Sequence, residues 1–308
     1  MSLDPHVSRF LDMMALGSSD GITLDARREG MRGLARLAGL SAEGVATRDL
    51  VLPGPAGPIS ARLYAPEGQE RREGGPGLVY LHGGGLVTGG LDTHDGLCRV
   101  LAEAGALRVV SVDYRLAPEH PFPAALDDAL AAIDGVAAQA DTLGIDPARL
   151  GIGGDSAGAG LAARVCQERC GGSIHAQLLI CPVLDVHGSY PSRRDFAQGY
   201  FLDEATIRRD LAACGPEAAG PSPRLSPLRE ADLTGLPPAR IHTAEYDPVR
   251  DEGAAYAERL ERAGVETAHT VHAGMIHFFY GLGRLVPRGR PILSEIARDF
   301  GACLRGAP

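Results

Sequence analysis

The sequence contains no lysine, no asparagine and no tryptophan, so all 30 of its basic residues are arginine. The absence of lysine excludes a Walker-type phosphate loop, because that loop needs a lysine directly after its glycines. Positive charge is also scarce overall, and the formal net charge is -9. This balance argues against nucleic acid or an anionic membrane as a partner, since both need a basic surface. A small neutral substrate is the better expectation.

Long apolar runs are absent as well. No stretch approaches the roughly 18 residues that a membrane span requires, and acids interrupt the apolar part of the N-terminal stretch MSLDPHVSRFLDMM. We therefore expect no membrane span, no signal peptide and a cytoplasmic location. The six cysteines lack the dense spacing of a disulfide-stapled domain, so reduced thiols are expected. Cys166 and Cys170 have no further ligand at zinc spacing, and we predict no metal.

From residue 46 onward, short apolar runs alternate with helical patterns. The predicted strands are two within 46–66 around a Pro/Gly turn, then 77–82, 107–114, 149–154, 175–181, 239–246 and 267–273. The predicted helices are 93–105, 123–142, one from 156, 251–263 and one from 291. Continuous apolar strands alternating with helices predict an α/β fold with a mostly parallel sheet, covered by helices on both faces.

Two segments depart from this alternation. Residues 1–45 show helical periodicity with a Gly-Ser-Ser break. Residues 183–236 are rich in proline, arginine and aspartate and are expected to hold one or two helices, around 203–214. The predicted organisation is one α/β domain formed by 46–182 and 237–308. An N-terminal helical segment, 1–45, precedes this domain, and the segment 183–236 is inserted into it. The charged stretch at 67–77 is predicted to be a solvated hairpin or loop.

The stretch GIGGDSAGAG, residues 151–160, removes bulky side chains from around one hydroxyl. A strand, then Gly154-Asp155-Ser156-Ala157-Gly158, then a helix is the context in which G-x-S-x-G forms a sharp turn that exposes the serine. A side chain at either outer glycine would collide with a neighbouring strand or helix, and Ser156 is predicted to have strained dihedrals. The motif alone also fits a serine that caps a helix, so other segments must decide.

His82-Gly83-Gly84-Gly85 directly follows the predicted strand 77–82. Backbone N–H groups of such a loop, together with the N–H of Ala157, can stabilise the oxyanion of acyl transfer. A flexible loop and a phosphate-binding loop are the alternatives. The absence of lysine opposes a Walker loop, and a dinucleotide loop would need a helix to begin at once.

An acid and a base follow later strands. Asp247 comes just after strand 239–246, and His277 follows the last strand. Such an acid can orient an imidazole that accepts the serine proton and returns it to the leaving group. Glu245 is assigned to the strand, Asp251 to a helix cap, and His272 to the end of a strand. Other histidines are expected to be structural or exposed, namely His94, His120, His187 and His242.

The combined motifs resemble a known family. They are HGGG, DYRLAPEHPFPAALDD (113–128), GDSAG, LPPARIHTAEYDPVRDEG and HAGMIHFF, in this order. This combination resembles the hormone-sensitive-lipase-like esterases, the bacterial family IV branch of the α/β-hydrolases. The resemblance implies an α/β-hydrolase fold with about eight strands and a helical cap made from 1–45 and 183–236. It implies these roles: nucleophile Ser156, acid Asp247, base His277, and oxyanion donors Gly83, Gly84 and Ala157.

The sequence also departs from the family pattern. Arg208, Arg209 and Asp210 occupy a part of the cap where the family usually has tryptophan and other aromatics, so the acyl pocket is expected to be polar or unusual in shape. The block 113–128 is interpreted as scaffold, with Arg115, Glu119 and Asp128 holding a loop by ion pairs. The resemblance favours short-chain acyl esters as substrates.

These observations predict a serine carboxylesterase that forms an acyl-enzyme and needs no cofactor. Two alternatives stay open. The same residues could hydrolyse an amide, a lactone or a carbamate, because all pass through similar tetrahedral intermediates. The fold could also serve as a small-molecule receptor without catalysis, although the intact triad argues against it. A homodimer through the edge of the sheet near the last strand is a weaker expectation from the resemblance.

Overall fold

The computed structural model describes residues 2–15, 21–68 and 74–306. Within these residues one sheet has the order β1-β2-β4-β3-β5-β6-β7-β8. The strands are β1 Val45–Leu52, β2 Ile59–Pro66, β3 Gly75–Leu81, β4 Arg108–Val112, β5 Ile145–Asp155, β6 Gln177–Ile180, β7 Ala239–Tyr246 and β8 Thr267–Ile276. The predicted Gly-Ser-Ser break and part of the predicted loop at 67–77 lie outside the described residues.

Helices flank this sheet. They are α1 Pro5–Ala15, α2 Leu24–Ala38, α3 Leu91–Gly105, α4 Ala124–Ala138, α5 Ala140–Leu143, α6 Ala157–Glu168, α7 Pro191–Asp195, α8 Glu204–Ala213, α9 Arg250–Arg262 and α10 Gly289–Gly306. Single 3₁₀ turns lie at Pro216–Ala218, Pro227–Arg229, Phe279–Gly281 and Gly283–Leu285.

Strands β3 to β8 pair in parallel, and β2 is antiparallel to both of its neighbours. Every residue of β4 is buried, because helices cover both faces of the central sheet. On one face the core includes Leu126 of α4, Leu161 of α6 and Leu260 of α9. On the other face it includes Leu101 of α3 and Phe300 of α10. The predicted fold class is confirmed.

Three details differ from the sequence prediction. The helix predicted over 123–142 is divided into α4 and α5 at Gln139. The position of the short helix α7 was not predicted, because five residues carry too little periodicity to recognise. Gly274, predicted as a flexible loop residue, lies inside β8 with φ +79°. The pairing of β7 with β8 shifts at this point, so β8 continues to Ile276.

Two histidines connect β7 to β8. His242 Nδ1 lies 3.3 Å from His272 Nε2, and their rings stack at 5.4 Å. Burial lowers the pKa of His242 to about 3 and that of His272 to about 4. Both therefore stay neutral in the folded protein at a pH where an unfolded histidine is protonated.

Acid is expected to destabilise the fold through these two histidines. Because the folded-state pKa values are lower, the unfolded chain binds more protons below pH ~6.5, and stability falls as the pH drops from there toward 4. Each such histidine contributes up to about 1.4 kcal/mol of unfolding free energy per pH unit in this window. His242→Gln should flatten the pH dependence measured by urea unfolding, whereas the exposed control His120→Gln should not. Equal slopes for both variants would contradict this reading.

Candidate active site

Ser156 lies on the sharp turn between β5 and α6, with φ +54° and ψ -122°. This is a strained region for a residue with a side chain. Its amide N donates to Ile180 O at 2.9 Å, which ties the turn to β6. A Cβ at Gly154 or Gly158 would collide with the backbone of Leu81. The predicted reason for these two glycines is therefore seen in the packing.

The structure brings Ser156, His277 and Asp247 together although they are far apart in sequence. His277 Nε2 lies 3.0 Å from Ser156 Oγ, and His277 Nδ1 lies 2.7 Å from Asp247 Oδ2. His277 follows the end of β8, and Asp247 follows the end of β7. Since carboxyl ends of parallel strands share one edge of a sheet, their loops converge beside the turn after β5. This arrangement allows the imidazole to accept the serine proton while Nδ1–H donates to the carboxylate.

Asp247 is fully buried and is held from two sides. Its Oδ1 accepts the amide of Val249 at 3.0 Å, and its Oδ2 contacts His277. The thiol of Cys181 lies beside this carboxylate, and burial and Asp247 both raise the pKa of the thiol. Ligand atoms of Cys181, Asp247 and His277 lie within 4.8 Å of one another, as a metal site would require. Both ring nitrogens of His277 and both carboxylate oxygens of Asp247, however, already have hydrogen-bond partners within the protein.

The glycine loop contributes differently from the prediction. The amide of Gly83 donates to Asp155 Oδ1 at 3.0 Å, so this N–H points into the protein. Gly84 and Gly85 line the cavity above Ser156, as does Ala157. Both glycines have positive φ, at +120° and +67°. The sequence analysis selected Gly83 and Gly84 from the resemblance, and Gly85 was not among the donors that it named.

Asp155 was also missed as part of the site. Its buried carboxylate accepts the hydroxyl of Tyr80 at 2.7 Å and that of Tyr280 at 3.1 Å, and lies 3.3 Å from His94 Nε2. Burial acts to raise the pKa of Asp155, but His94 and the Tyr80 hydroxyl outweigh it and hold the pKa below its usual value. A carboxylate in a buried strand needs hydrogen-bond donors around it. The position of Asp155 in a predicted buried strand could therefore have indicated this hydrogen-bond network. His94 is thus structural, as expected.

His82 fixes the start of the glycine loop. Its ring stacks on Tyr114 at 4.2 Å, and its Nδ1 lies 2.9 Å from Gly83 O. Burial lowers the pKa of His82 to about 3, so the ring is neutral and Nδ1–H can donate to that carbonyl. The loop after β3 therefore has a defined conformation, which opposes the alternative of a flexible loop.

The rival acids and base have other contacts. Glu245 lies in β7, as assigned, and its Oε2 accepts the amide of Gly274 at 2.8 Å. Asp251 lies in the first turn of α9 but does not cap it; its Oδ2 accepts the amide of Ser192 at 2.9 Å. His272 lies in β8, and its ring packs against the ring of Phe279.

The scaffold interpretation of 113–128 is confirmed in one part and revised in another. Arg115 forms a two-contact ion pair with Asp128, at 2.9 Å and 2.8 Å. Glu119 instead binds Arg28 of α2, at 2.7 Å and 2.8 Å. Arg28 also donates to Val87 O at 3.0 Å, so it connects α2 to the end of the glycine loop.

A cavity of about 530 Å³ opens above Ser156. Its walls come from both predicted cap segments and are mainly apolar, including Met14, Met31, Leu34, Phe201, Ile207 and Leu211. Arg209 and Asp210 line it, as does Arg27 of α2, whereas Arg208 pairs with Glu204 outside it. The pocket expected to be polar or unusual in shape is thus mainly apolar, with charged residues on part of its wall. Among the described residues, no helix is long and apolar enough to cross a membrane.

Comparisons with known proteins agree with this geometry. A family model described as the alpha/beta hydrolase fold matches residues 78–281. Esterase LipI of Mycobacterium tuberculosis is 39% identical over 93% of this chain and 90% of its own. Ethyl acetate hydrolase of Pseudomonas putida is 37% identical over 93% of this chain and 94% of its own. A solved ester hydrolase from the metagenome of Lake Arreo has 40% identity and a TM-score of 0.92, covering 97% of this chain and 98% of that one.

The sheet order and the serine on the turn after β5 define an α/β-hydrolase. Sequence identities near 40% to esterases, over most of the chain, indicate the family within this superfamily. The chain belongs to the hormone-sensitive-lipase-like esterases of this superfamily. The predicted family and the predicted carboxylesterase class are confirmed.

Proposed function

We propose that this protein hydrolyses carboxylic esters of short to medium acyl chains, with Ser156 as nucleophile, His277 as general base and acid, and Asp247 as the acid that orients the imidazole. The observation that carries the proposal is the continuous contact from Ser156 Oγ through both ring nitrogens of His277 to Asp247. Ser156 and His277 line the cavity, so a bound ester can reach the hydroxyl.

The reaction has two halves. Ser156 Oγ attacks the ester carbonyl carbon as its proton moves to His277 Nε2. The bond to the alkoxy group breaks, and His277 returns the proton to the leaving alcohol. Water then attacks the acyl-enzyme, giving one proton to His277, and the carboxylic acid leaves as Ser156 regains its proton. Asp247 stabilises the imidazolium in both halves.

The proposed oxyanion donors are the amides of Gly84, Gly85 and Ala157. Gly85 replaces Gly83 in this set, because the Gly83 amide already donates to Asp155. Ala157 begins α6, whose N-terminus also favours a developing negative charge. Donors fixed before the reaction stabilise the transition state by about 3 kcal/mol each.

A labelling experiment tests this proposal. An activated alkyl p-nitrophenyl phosphonate should transfer its phosphonyl group to Ser156 Oγ, with release of p-nitrophenol, and peptide mass spectrometry should locate it there. Labelled protein should lose turnover of p-nitrophenyl butyrate in proportion to the labelled fraction. In a series from acetate to decanoate, kcat/KM should fall for the longest acyl chains, because residues of the cap segments form walls of the cavity and limit the space for the acyl chain. Full activity after stoichiometric labelling would contradict the proposal.

The same assay separates the alternatives. Faster turnover of a p-nitroanilide or a lactone than of any ester would favour another acyl bond, and binding of an ester without product would favour a receptor. The division into 46–182 and 237–308 with cap segments 1–45 and 183–236, the cytoplasmic location and the homodimer remain predictions.

A further inference from the structure

A buried ion pair connects the two cap segments at the cavity wall. Arg27 lies on α2 and Asp210 on α8, and Arg27 Nη2 is 2.6 Å from Asp210 Oδ1. Only 17% of the arginine side chain and 10% of the aspartate side chain are exposed. Both line the cavity that contains Ser156. Burying a charge pair is costly, so its position at the site calls for a physical explanation.

Asp210 lies directly against one of the proposed oxyanion donors. A Cβ at Gly85 would collide with the Asp210 carboxylate. Burial raises the pKa of Asp210, and Arg27 opposes that rise. A carboxylate at this position repels any second negative charge that forms at the adjacent amides, and the low dielectric of a mainly apolar cavity strengthens the repulsion.

We propose that Arg27 is a positioning residue of the esterase reaction, whose guanidinium neutralises Asp210 and so removes the electrostatic opposition of this carboxylate to the oxyanion. The inference rests on the proposed function, because it assumes that Gly84, Gly85 and Ala157 hold the oxyanion. Arg27 acts through Asp210 and does not contact the reacting atoms.

Other charges near Asp210 do not substitute for Arg27. Arg209 and Asp203 influence the carboxylate with opposite signs, and Arg209 donates to Thr206 Oγ1 at 3.1 Å. Arg28, the neighbour of Arg27 on α2, is used by Glu119 and by two backbone carbonyls. Arg27 is therefore the cation that contacts Asp210 directly.

The proposal predicts unequal effects from two variants that break the same ion pair. Arg27→Met leaves the Asp210 carboxylate without its cation, so at a pH above the pKa of Asp210 the kcat for p-nitrophenyl butyrate should fall about tenfold or more, with KM changed less than about threefold. Asp210→Asn removes the negative charge and should lower kcat by a much smaller factor than Arg27→Met does. The double variant should recover to the level of Asp210→Asn, and Arg27→Lys, which keeps the charge, should retain most of the activity.

A purely structural ion pair predicts something different. If the pair only joined α2 to α8, both single variants would lose similar activity and the double variant would not recover. That result, or wild-type kcat in Arg27→Met, would overturn the proposal. Should Arg27→Met fail to fold, a tenfold loss in Asp210→Asn would overturn it on its own.

The controls keep this test separate from the proposed function. Arg36→Met removes another α2 arginine, one that pairs with Glu29 at the surface, and should match wild type in kcat. Melting temperatures of all variants report the structural contribution of the ion pair. Failure of the proposed function would be evident beforehand, because wild-type protein would neither turn over the ester nor accept the phosphonate on Ser156.

Discussion

Replacing Ser156 with alanine is expected to lower kcat for a short p-nitrophenyl ester by about 10⁶-fold, and His277→Ala by a similar factor. The two side chains act as one unit, because the hydroxyl is a weak nucleophile unless the imidazole removes its proton. The double variant should therefore be no slower than either single variant. The remaining rate, about 10³-fold above the reaction in water, would come from the oxyanion donors and from binding.

Steady-state kinetics on all three variants, with trace contamination checked by phosphonate titration, gives this measurement. Circular dichroism should show intact folds, since Ser156→Ala removes only a hydroxyl that contacts His277. Multiplied losses in the double variant would mean that the two residues act independently, which contradicts their 3.0 Å contact.

The positions of Ser156, Asp247 and His277 could be predicted, because each residue follows a strand that can be recognised in the sequence as an apolar run. Parallel strands bring their carboxyl ends to one edge, so three loops distant in sequence had to meet. The need for glycines around Ser156 could also be predicted, because a sharp turn after a strand leaves no room for side chains there.

The role of Gly83 could not be predicted in this way. Three consecutive glycines have the same chemistry, and only the side-chain direction of Asp155 decides which amide is used inside the protein. That direction depends on Tyr80, Tyr280 and His94, which come from three separate elements. The contacts of such a network are set by tertiary packing and leave no local pattern.

The ion pair between Arg27 and Asp210 at the cavity could not be predicted from the sequence for a related reason. Arg27 and Asp210 lie on amphipathic helices, where charged residues are normally assigned to the solvated face. The two helices turn these residues toward each other and toward Gly85. The departure from the family pattern at Asp210 was noticed in the sequence, but its partner on α2 was not.

Asp155→Ala is expected to damage both stability and catalysis. The carboxylate is 1% exposed and accepts hydrogen bonds from two tyrosines and from the Gly83 amide. Removing it leaves these donors buried without an acceptor, at a cost of roughly 3–5 kcal/mol in the free energy of unfolding. The freed Gly83 amide loosens the adjacent donors, so kcat should fall about 10²-fold in the protein that stays folded.

Urea unfolding and kcat measurements would report the two effects separately. Asp155→Asn provides a graded comparison, because its amide oxygen can still accept hydrogen bonds whereas its NH2 group cannot. Asp134→Ala is the matched control. Its carboxylate forms a surface ion pair with Arg169, and its loss should cost about 1 kcal/mol at most. A variant Asp155→Ala with wild-type stability and kcat would show that the glycine loop holds its conformation without this carboxylate. In that case the stacking of His82 on Tyr114 would have to fix the loop alone.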